Sequence, residues 1–321
     1  MDQSDQKMIS ELRPGDRVMG YYVVRKKDVR VRQHNREPYL TFEFGDASGR
    51  IRGTIWDDIR ELNGAIKISD IVKVKGSVIT YRDSRHIAID RIRKCREDDP
   101  VNAVELVPFS KRDTDELYRD LMKIIDGLEN VHVRRLVSDI YTDAQIAGRL
   151  KQAPAAKLMH HSYIGGLMEH TLSVTRICMF LHSHYPAIDR DVLLAGALLH
   201  DIGKIEEFSL NGFIDYSTRG RLIGHIGMSA RLVSEKIACI EDFPEDTRDS
   251  LIHCILSHHG SRDRGSPVVP ATLEALIVHY ADEVDSRVNA FCRVIEKERE
   301  PGKAWSSYVN ILDRFIYFGN K

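Results

Sequence analysis

Six side chains with metal-ligand chemistry stand at or near the ends of separate apolar runs. His170 follows "GGLME", His200-Asp201 follows "AGALL", His225 follows "LIG", His258 follows "CILS" and Asp282 follows "VHYA". Imidazole and carboxylate together suit Mn, Fe, Zn or Co, and a set without thiolate argues against a structural zinc. Adjacent helical positions point about 100° apart. His200 and Asp201 can therefore flank one ion while the second oxygen of Asp201 reaches another. This reading gives His170, His200, Asp201 and Asp282 to one ion, and Asp201, His225 and His258 to a second. Two ions roughly 3.5–4 Å apart activate water and clamp a phosphate for in-line displacement. A His-Asp pair alone is weak, because average residue usage supplies one by chance in roughly a third of chains this long. The set weighs more, since burying each group without a partner costs a few kcal/mol.

These residues need helices to bring them together, and the second half of the chain supplies the pattern. From Thr114 onward, segments such as "HVRRLVSDIYTDAQIAGRL", "LMEHTLSVTRICMFLHSHY", "LIGHIGMSARLVSEKIACI" and "ATLEALIVHYADEVDSRVNAFCRVI" space apolar residues at three or four. Each ligand falls on or near a different helix, the way a metal site is built in a helical bundle. An all-α module over 114–321 is expected.

The first part of the chain reads differently. Residues 17–32, 38–58, 70–83 and 85–95 hold short alternating or β-branched runs. Asp46-Ala47-Ser48-Gly49 predicts a hairpin with Gly49 at positive φ. Five short strands fit a small closed barrel of the OB-fold kind over 12–96, with a small open sheet as the alternative. Residues 97–113, with two prolines and no period, read as a linker.

Charge divides the same way. Residues 12–96 carry 20 Lys/Arg against 11 Asp/Glu, a surplus of nine, so a chain of net charge -1 leaves about -10 for the rest. Of 14 histidines, 12 lie between His132 and His279. A basic β module thus precedes an acidic, His-rich helical one. No run of 18 apolar residues predicts a membrane span. The polar start "MDQSDQKMIS" is not a signal peptide. The 5 cysteines are dispersed without a CxxC pair, as expected of reduced thiols in a cytoplasmic protein.

The pattern H…HD…H…H…D in a helical module resembles the HD-domain metal-dependent phosphohydrolases. More narrowly, "HHSYIGGLMEHTLSV" (160–174), "ALLHDIGK" (197–204), "GHIGMSARLV" (224–233), "LSHHG" (256–260) and "HYADEVDSRVN" (279–289) resemble the YhaM family of 3′-5′ exoribonucleases. The resemblance covers nearly the whole chain, strongly in the HD motifs and weakly in the barrel, where only the strand pattern and "DASGRI" carry it. It implies an N-terminal OB-fold joined to a C-terminal HD domain. It also implies Mn²⁺-dependent removal of nucleotides from the 3′ ends of single-stranded RNA, and often of single-stranded DNA. Two divalent ions are expected, Mn²⁺ first, with Fe, Co, Zn or Mg as alternatives. Assembly into a homo-oligomer is compatible with the family, and no membrane partner is expected.

Further roles follow from position. Lys204, four residues after His200, reads as sharing its helix face and is assigned to a substrate phosphate oxygen. The plain alternative is a solvated lysine at a helix end. His259 cannot point with His258 and is assigned to phosphate or leaving group, with a structural role as the alternative. His160 and His161, just before Gly165-Gly166, bind phosphate or protonate the departing 3′ oxygen, unless they are surface residues. Asp285, one turn beyond Asp282, orients a ligand imidazole. Arg287 is a weaker phosphate candidate, and His182, His184, His253 and His279 receive no role. In the barrel, Tyr22, Tyr39, Trp56 and Tyr81 are candidates for base stacking, with Arg50, Arg52, Lys73, Lys75 and Arg82 for the backbone. Phe42 and Phe44 share a face that core packing also explains. The rival functions are an HD phosphohydrolase acting on a small nucleotide or cyclic dinucleotide, and a non-catalytic RNA-binding protein.

Overall fold

The computed structural model describes residues 6–32, 35–81, 84–158 and 160–319. They form two compact units: Met1–Phe109 with Ser209–Asp215, and Ser110–Phe208 with Tyr216–Lys321.

The first unit is a closed barrel of five strands, β1 (Arg17–Val31), β2 (Pro38–Asp46), β3 (Gly49–Ile55), β4 (Ile71–Tyr81) and β5 (Ser84–Lys94), with helix α1 (Ile59–Ala65) between β3 and β4. Neighbours run β1-β2-β3-β5-β4, β1 pairs β4 to close the ring, and β3 pairs β5 in parallel. This is the OB-fold arrangement, so the open-sheet alternative is excluded. Alternation sends Val18, Tyr22, Val24, Leu40, Phe42, Phe44, Val72, Val74, Val78 and Ile87 to one interior. Ile9 and Leu12 enter the same core, and the Ile9 amide donates to Asp46 Oδ2 at 2.7 Å.

Two local expectations are corrected. Gly49 does not adopt positive φ. The hairpin is closed instead by Asp46 Oδ1, which accepts from the Ser48 amide, the Ser48 hydroxyl and the Gly49 amide, an Asx-type turn that needs no left-handed residue. Tyr22 is not a surface stacking residue: only 1% of it is exposed, inside the barrel. Gly76 lies at the irregularity between β4 and β5, where an added Cβ would meet the Ala88 carbonyl at 2.3 Å.

The second unit is built from α2 (Thr114–Asp126), α3 (Val131–Tyr141), α4 (Ala144–Gln152), α5 (Gly166–His184), α6 (Arg190–Leu199), α7 (Lys204–Glu207), α8 (Thr218–Ile237), α9 (Glu245–Ser257) and α10 (Leu273–Glu298). Asp113, Asn130, Asp143 and Asp189 accept from the first free amides of α2, α3, α4 and α6, which fixes where these helices start. Two short strands that were not expected, β6 (Phe208–Leu210) and β7 (Ile214–Tyr216), interrupt the helical pattern, and most of their residues belong to the first unit. They are too short for an alternation of apolar residues to register.

Helix α6 is the axis of this unit. Every residue from Asp191 to Leu199 is buried, and it contacts α3, α5, α9 and α10. Gly196 lets α9 and α10 come close, because a Cβ there would lie 3.1 Å from Cys254 Sγ and 3.4 Å from Val278. The C-terminal end of α6 delivers His200 and Asp201.

Leu194 on this axis is fully buried, while Val131 is 61% exposed. Leu194→Ala should cost about 2–5 kcal/mol of stability, and Val131→Ala about 0.5 kcal/mol or less. Urea denaturation of the two variants checks this; equal midpoints would contradict the assignment of α6 as the core.

Candidate metal centre

The predicted ligands converge from α5, α6, α8, α9 and α10. His170 lies on α5, whose start at Gly165 has φ 79° and whose Gly166 abuts the His161 carbonyl so closely that a Cβ would fall at 2.0 Å. His200 terminates α6 and His258 terminates α9. His225 follows Gly224, whose φ of 73° breaks α8 at that point, a conformation that favours glycine. Asp282 projects from α10.

Asp201 stands at the middle. Its Oδ2 lies 3.5 Å from His170 Nε2 and 3.4 Å from His200 Nε2. Its Oδ1 lies 3.4 Å from His225 Nε2 and 3.5 Å from His258 Nε2. Asp282 Oδ1 reaches His170 Nε2 at 3.2 Å, and the Nε2 atoms of His170 and His200 are 3.3 Å apart. His170, His200, Asp201 and His258 are buried, none more than 2% exposed.

Each imidazole is held by its other nitrogen. His200 Nδ1 bonds the Ala197 carbonyl at 2.8 Å and His258 Nδ1 the Ile255 carbonyl at 2.7 Å. His225 Nδ1 bonds Glu207 Oε1 at 2.9 Å, and His170 Nδ1 bonds Asp285 Oδ2 at 2.7 Å. A carbonyl can only accept, so Nδ1 of His200 and His258 carries the proton and Nε2 presents a lone pair inward. Asp201 Oδ1, His225 Nε2 and His258 Nε2 are buried with no hydrogen-bond partner. Three convergent acceptors without a donor are costly in a dry interior, and a divalent cation satisfies all three. Outer partners that fix the tautomer are also what metal-bound histidines use. The donor set fits a metal.

The electrostatics point the same way. Burial opposes charge on Asp201, but Lys204, His200 and the hydrogen bonds from His170 and His200 hold its carboxyl well below the usual range. Burial opposes charge on His170 too, yet Asp201, Asp282 and Asp285 carry its pKa well above the ordinary value. A proton on His170 thus occupies ground that a cation can take. Burial lowers the pKa of His258 and of His259, which favours neutral rings.

Several residues lie elsewhere than expected. Lys204 does not continue the helix of His200: α6 stops at Leu199 and Lys204 opens α7. Its ammonium pairs with Asp201 Oδ2 at 2.6 Å and is buried. His161 does not face substrate; its Nε2 bonds Asp285 Oδ2 and its Nδ1 the Tyr163 hydroxyl, each at 2.9 Å. Asp285 therefore joins His161, His170 and the Ser173 hydroxyl. His259 does turn toward His225 and His258, so that ligand atoms of the three lie within 4.8 Å of one another; its Nδ1 bonds the Arg264 carbonyl at 2.9 Å. His160 is half-buried with an unpartnered Nδ1, and burial followed by the charge of Lys204 pushes its pKa down to about 3. Arg287 pairs with Glu283. His279, given no role, bonds the His258 carbonyl at 2.7 Å. Glu207 was missed. Its hold on both the ring and the amide of His225 crosses 18 residues, and no spacing announces it.

On the barrel, Tyr39 and Trp56 have ring centroids 4.5 Å apart, and the Arg32 guanidinium lies 4.1 Å from the Trp56 ring. Trp56 is 45% exposed and Tyr81 53%. Arg52 of β3 pairs in register with His86 of β5, which pairs with Ile79 of β4. These residues make an outward face with Lys75 exposed, whereas Lys73 lies 5.0 Å over the Tyr21 ring and Arg50 pairs with Glu43 at 3.2 Å. Arg82 lies outside the described residues. Arg32 and His86 were not foreseen.

Comparison with known proteins adds independent findings. The HD domain family matches residues 167–287. The chain is 32% identical to a 3′-5′ exoribonuclease YhaM of Shouchella clausii over 97% of this chain and 96% of that protein. It is 33% identical to that of Oceanobacillus iheyensis over 95% of each, and 30% identical to that of Bacillus subtilis over 94% of this chain and 95% of the other. A replication protein A domain of Methanococcus maripaludis aligns with 28% of this chain and 93% of its own at 25% identity, but a TM-score of 0.23 gives it no weight. Among the described residues no helix is long and apolar enough to cross a membrane.

The raised pKa of His170 has a sign that can be measured. Below that pKa the ring holds a proton that a cation must displace, so metal affinity should rise with pH and level off above it. Calorimetric titration with Mn²⁺ in buffers of different ionisation enthalpy should show proton release; heats independent of the buffer would contradict this. Glu207→Gln should weaken metal binding about 10–100-fold.

Proposed function

The chain belongs to the YhaM family of 3′-5′ exoribonucleases, and from that premise we propose that it shortens single-stranded RNA from the 3′ end by hydrolysis at the centre around Asp201. One observation supports this most. The two oxygens of a single buried carboxylate face two separate imidazole sets, His170 with His200 and His225 with His258. A carboxylate shared between two ligand groups would let two divalent ions lie close enough to act together on one phosphodiester.

In this reading His170, His200, Asp201 and Asp282 hold one ion and Asp201, His225 and His258 hold a second, with Mn²⁺ as the ion proposed. When bound, the ions supply an activated water and neutralise charge on the phosphoryl oxygens. The chain's own residues do the rest. Lys204 keeps Asp201 ionised and adds a positive charge beside the position of the phosphate. Asp285, itself braced by His161 and Ser173, fixes the His170 ring. Glu207 does the same for His225. The half-buried His160, with its unpartnered Nδ1, is assigned to the substrate, and His259 to the phosphate or leaving group. Water adds to phosphorus, the P–O3′ bond breaks, the departing oxygen takes a proton, and a 5′-nucleotide leaves.

The barrel grips the polymer upstream. Tyr39, Trp56 and Tyr81 offer ring faces, and Arg32, Arg52 and Lys75 face the phosphates. Stacking on such rings contributes about 1–3 kcal/mol per base. DNA single strands offer the same base faces and phosphates to these rings and cations.

A 5′-labelled single-stranded RNA incubated with Mn²⁺ should yield a ladder shrinking from the 3′ end. Asp201→Ala should abolish the ladder while RNA affinity changes little. Intact RNA with hydrolysis of a small nucleotide, or RNA retarded but never cut, would overturn the proposal. Trp56→Ala should weaken RNA binding roughly tenfold, and binding by the intact protein should fall steeply with salt. Gel retardation across a salt series reads both; an affinity insensitive to salt would exclude the barrel as the grip.

A further inference from the structure

His279 is a histidine of the helical unit that the proposed reaction leaves unused. It lies on α10, three residues before Asp282. Val278 and Ala281 on the same helix are fully buried in the core that α6 shares, so the backbone beneath His279 is fixed. The ring is half-buried, and its Nδ1 meets the His258 carbonyl at 2.7 Å. A carbonyl can only accept, so Nδ1 carries the proton and donates it.

That carbonyl belongs to the end of a helix. α9 stops at Ser257, and His258 is the residue that closes it. The last carbonyls of a helix have no partner within it. Two contacts hold this end. The Gly260 amide donates to the Ser257 carbonyl at 2.8 Å, with Gly260 left-handed at φ 79°, a common way for a helix to stop. The His279 ring lies against the same glycine: a Cβ on Gly260 would fall 2.2 Å from Cε1 and 2.3 Å from Nε2 of that ring. His279 thus grips the His258-His259-Gly260 turn at two places, a carbonyl it donates to and a glycine it covers. The same α10 presents Asp282, whose Oδ1 reaches His170 Nε2 at 3.2 Å.

We propose that His279 is a positioning residue that keeps the two ligand sets of the centre in register, by tying the turn that bears His258 to the helix that bears Asp282. It acts through the main chain of His258, whose Nδ1 is meanwhile held by the Ile255 carbonyl. His279 has this role only if two ions share Asp201, as proposed above. Without its donor the end of α9 loosens, and the set of His225 and His258 loses affinity for its ion. The set of His170, His200 and Asp282 keeps its own.

Electron paramagnetic resonance of the full-length protein titrated with Mn²⁺ tests this, since the signal of an exchange-coupled Mn²⁺ pair can be followed beside that of single bound ions. The intact protein should give the coupled signal. His279→Leu should still bind a single ion as tightly, but should need about tenfold more Mn²⁺ to form the pair. His279→Asn keeps an N–H near the same place and should restore it. For RNA shortening at the lower Mn²⁺ level, His279→Leu should reduce kcat about tenfold and leave KM unchanged. If His279→Leu forms the pair as readily as the intact protein, or loses single-ion binding as well, or if His279→Asn fails to restore the pair, the role of His279 is refuted and the two-ion centre stands. If the intact protein gives only single-ion signals at every Mn²⁺ level, the two-ion reading itself falls.

Discussion

The helical unit is organised around a cost: Asp201 Oδ1, His225 Nε2 and His258 Nε2 are buried acceptors that no donor in the protein reaches. Leaving such groups unsatisfied costs about 1–3 kcal/mol each, a cost that a bound cation would remove. Much of the surrounding structure follows from that need. Imidazoles must present lone pairs rather than protons, so their Nδ1 atoms are occupied by Ala197, Ile255, Glu207 and Asp285. Two helices end where their candidate ligands stand, α6 at His200 and α9 at His258. Glycines must stand where backbones would otherwise collide, as at Gly166 and Gly196, or where the chain must turn left-handed, as at Gly224.

The same cost explains the asymmetry of charge. A site that gathers Asp201, Asp282 and Asp285 is anionic, and Lys204 and the proton on His170 offset only part of it. Divalent cations, when bound, would restore the balance and attract a phosphate. The barrel carries the positive surplus of the chain, the sign that suits a polyanion.

The side chains that converge around Asp201 were legible in the sequence. Histidine and aspartate at the close of apolar helical runs are expensive, and five such places in one module admit few explanations. The order of barrel and bundle was legible too, from the change of hydrophobic period and of charge sign. What escaped was set by tertiary contact. Glu207 orients His225 across 18 residues, and glutamate near a helix end is ordinary. Lys204 was read along a helix that in fact stops at Leu199, so its true partner, Asp201, was overlooked. Tyr22 was taken for a surface ring because alternation identifies two faces of a strand without saying which one is inside. His161 looked like its neighbour His160, and only the fold shows that Asp285 claims it.

Diffraction from crystals grown with Mn²⁺, recorded at its absorption edge, tests the central claim most directly. The account predicts two anomalous peaks that share Asp201, one among His170, His200 and Asp282 and the other among His225 and His258. Peaks that avoid Asp201, or none at all in this cluster, would contradict it.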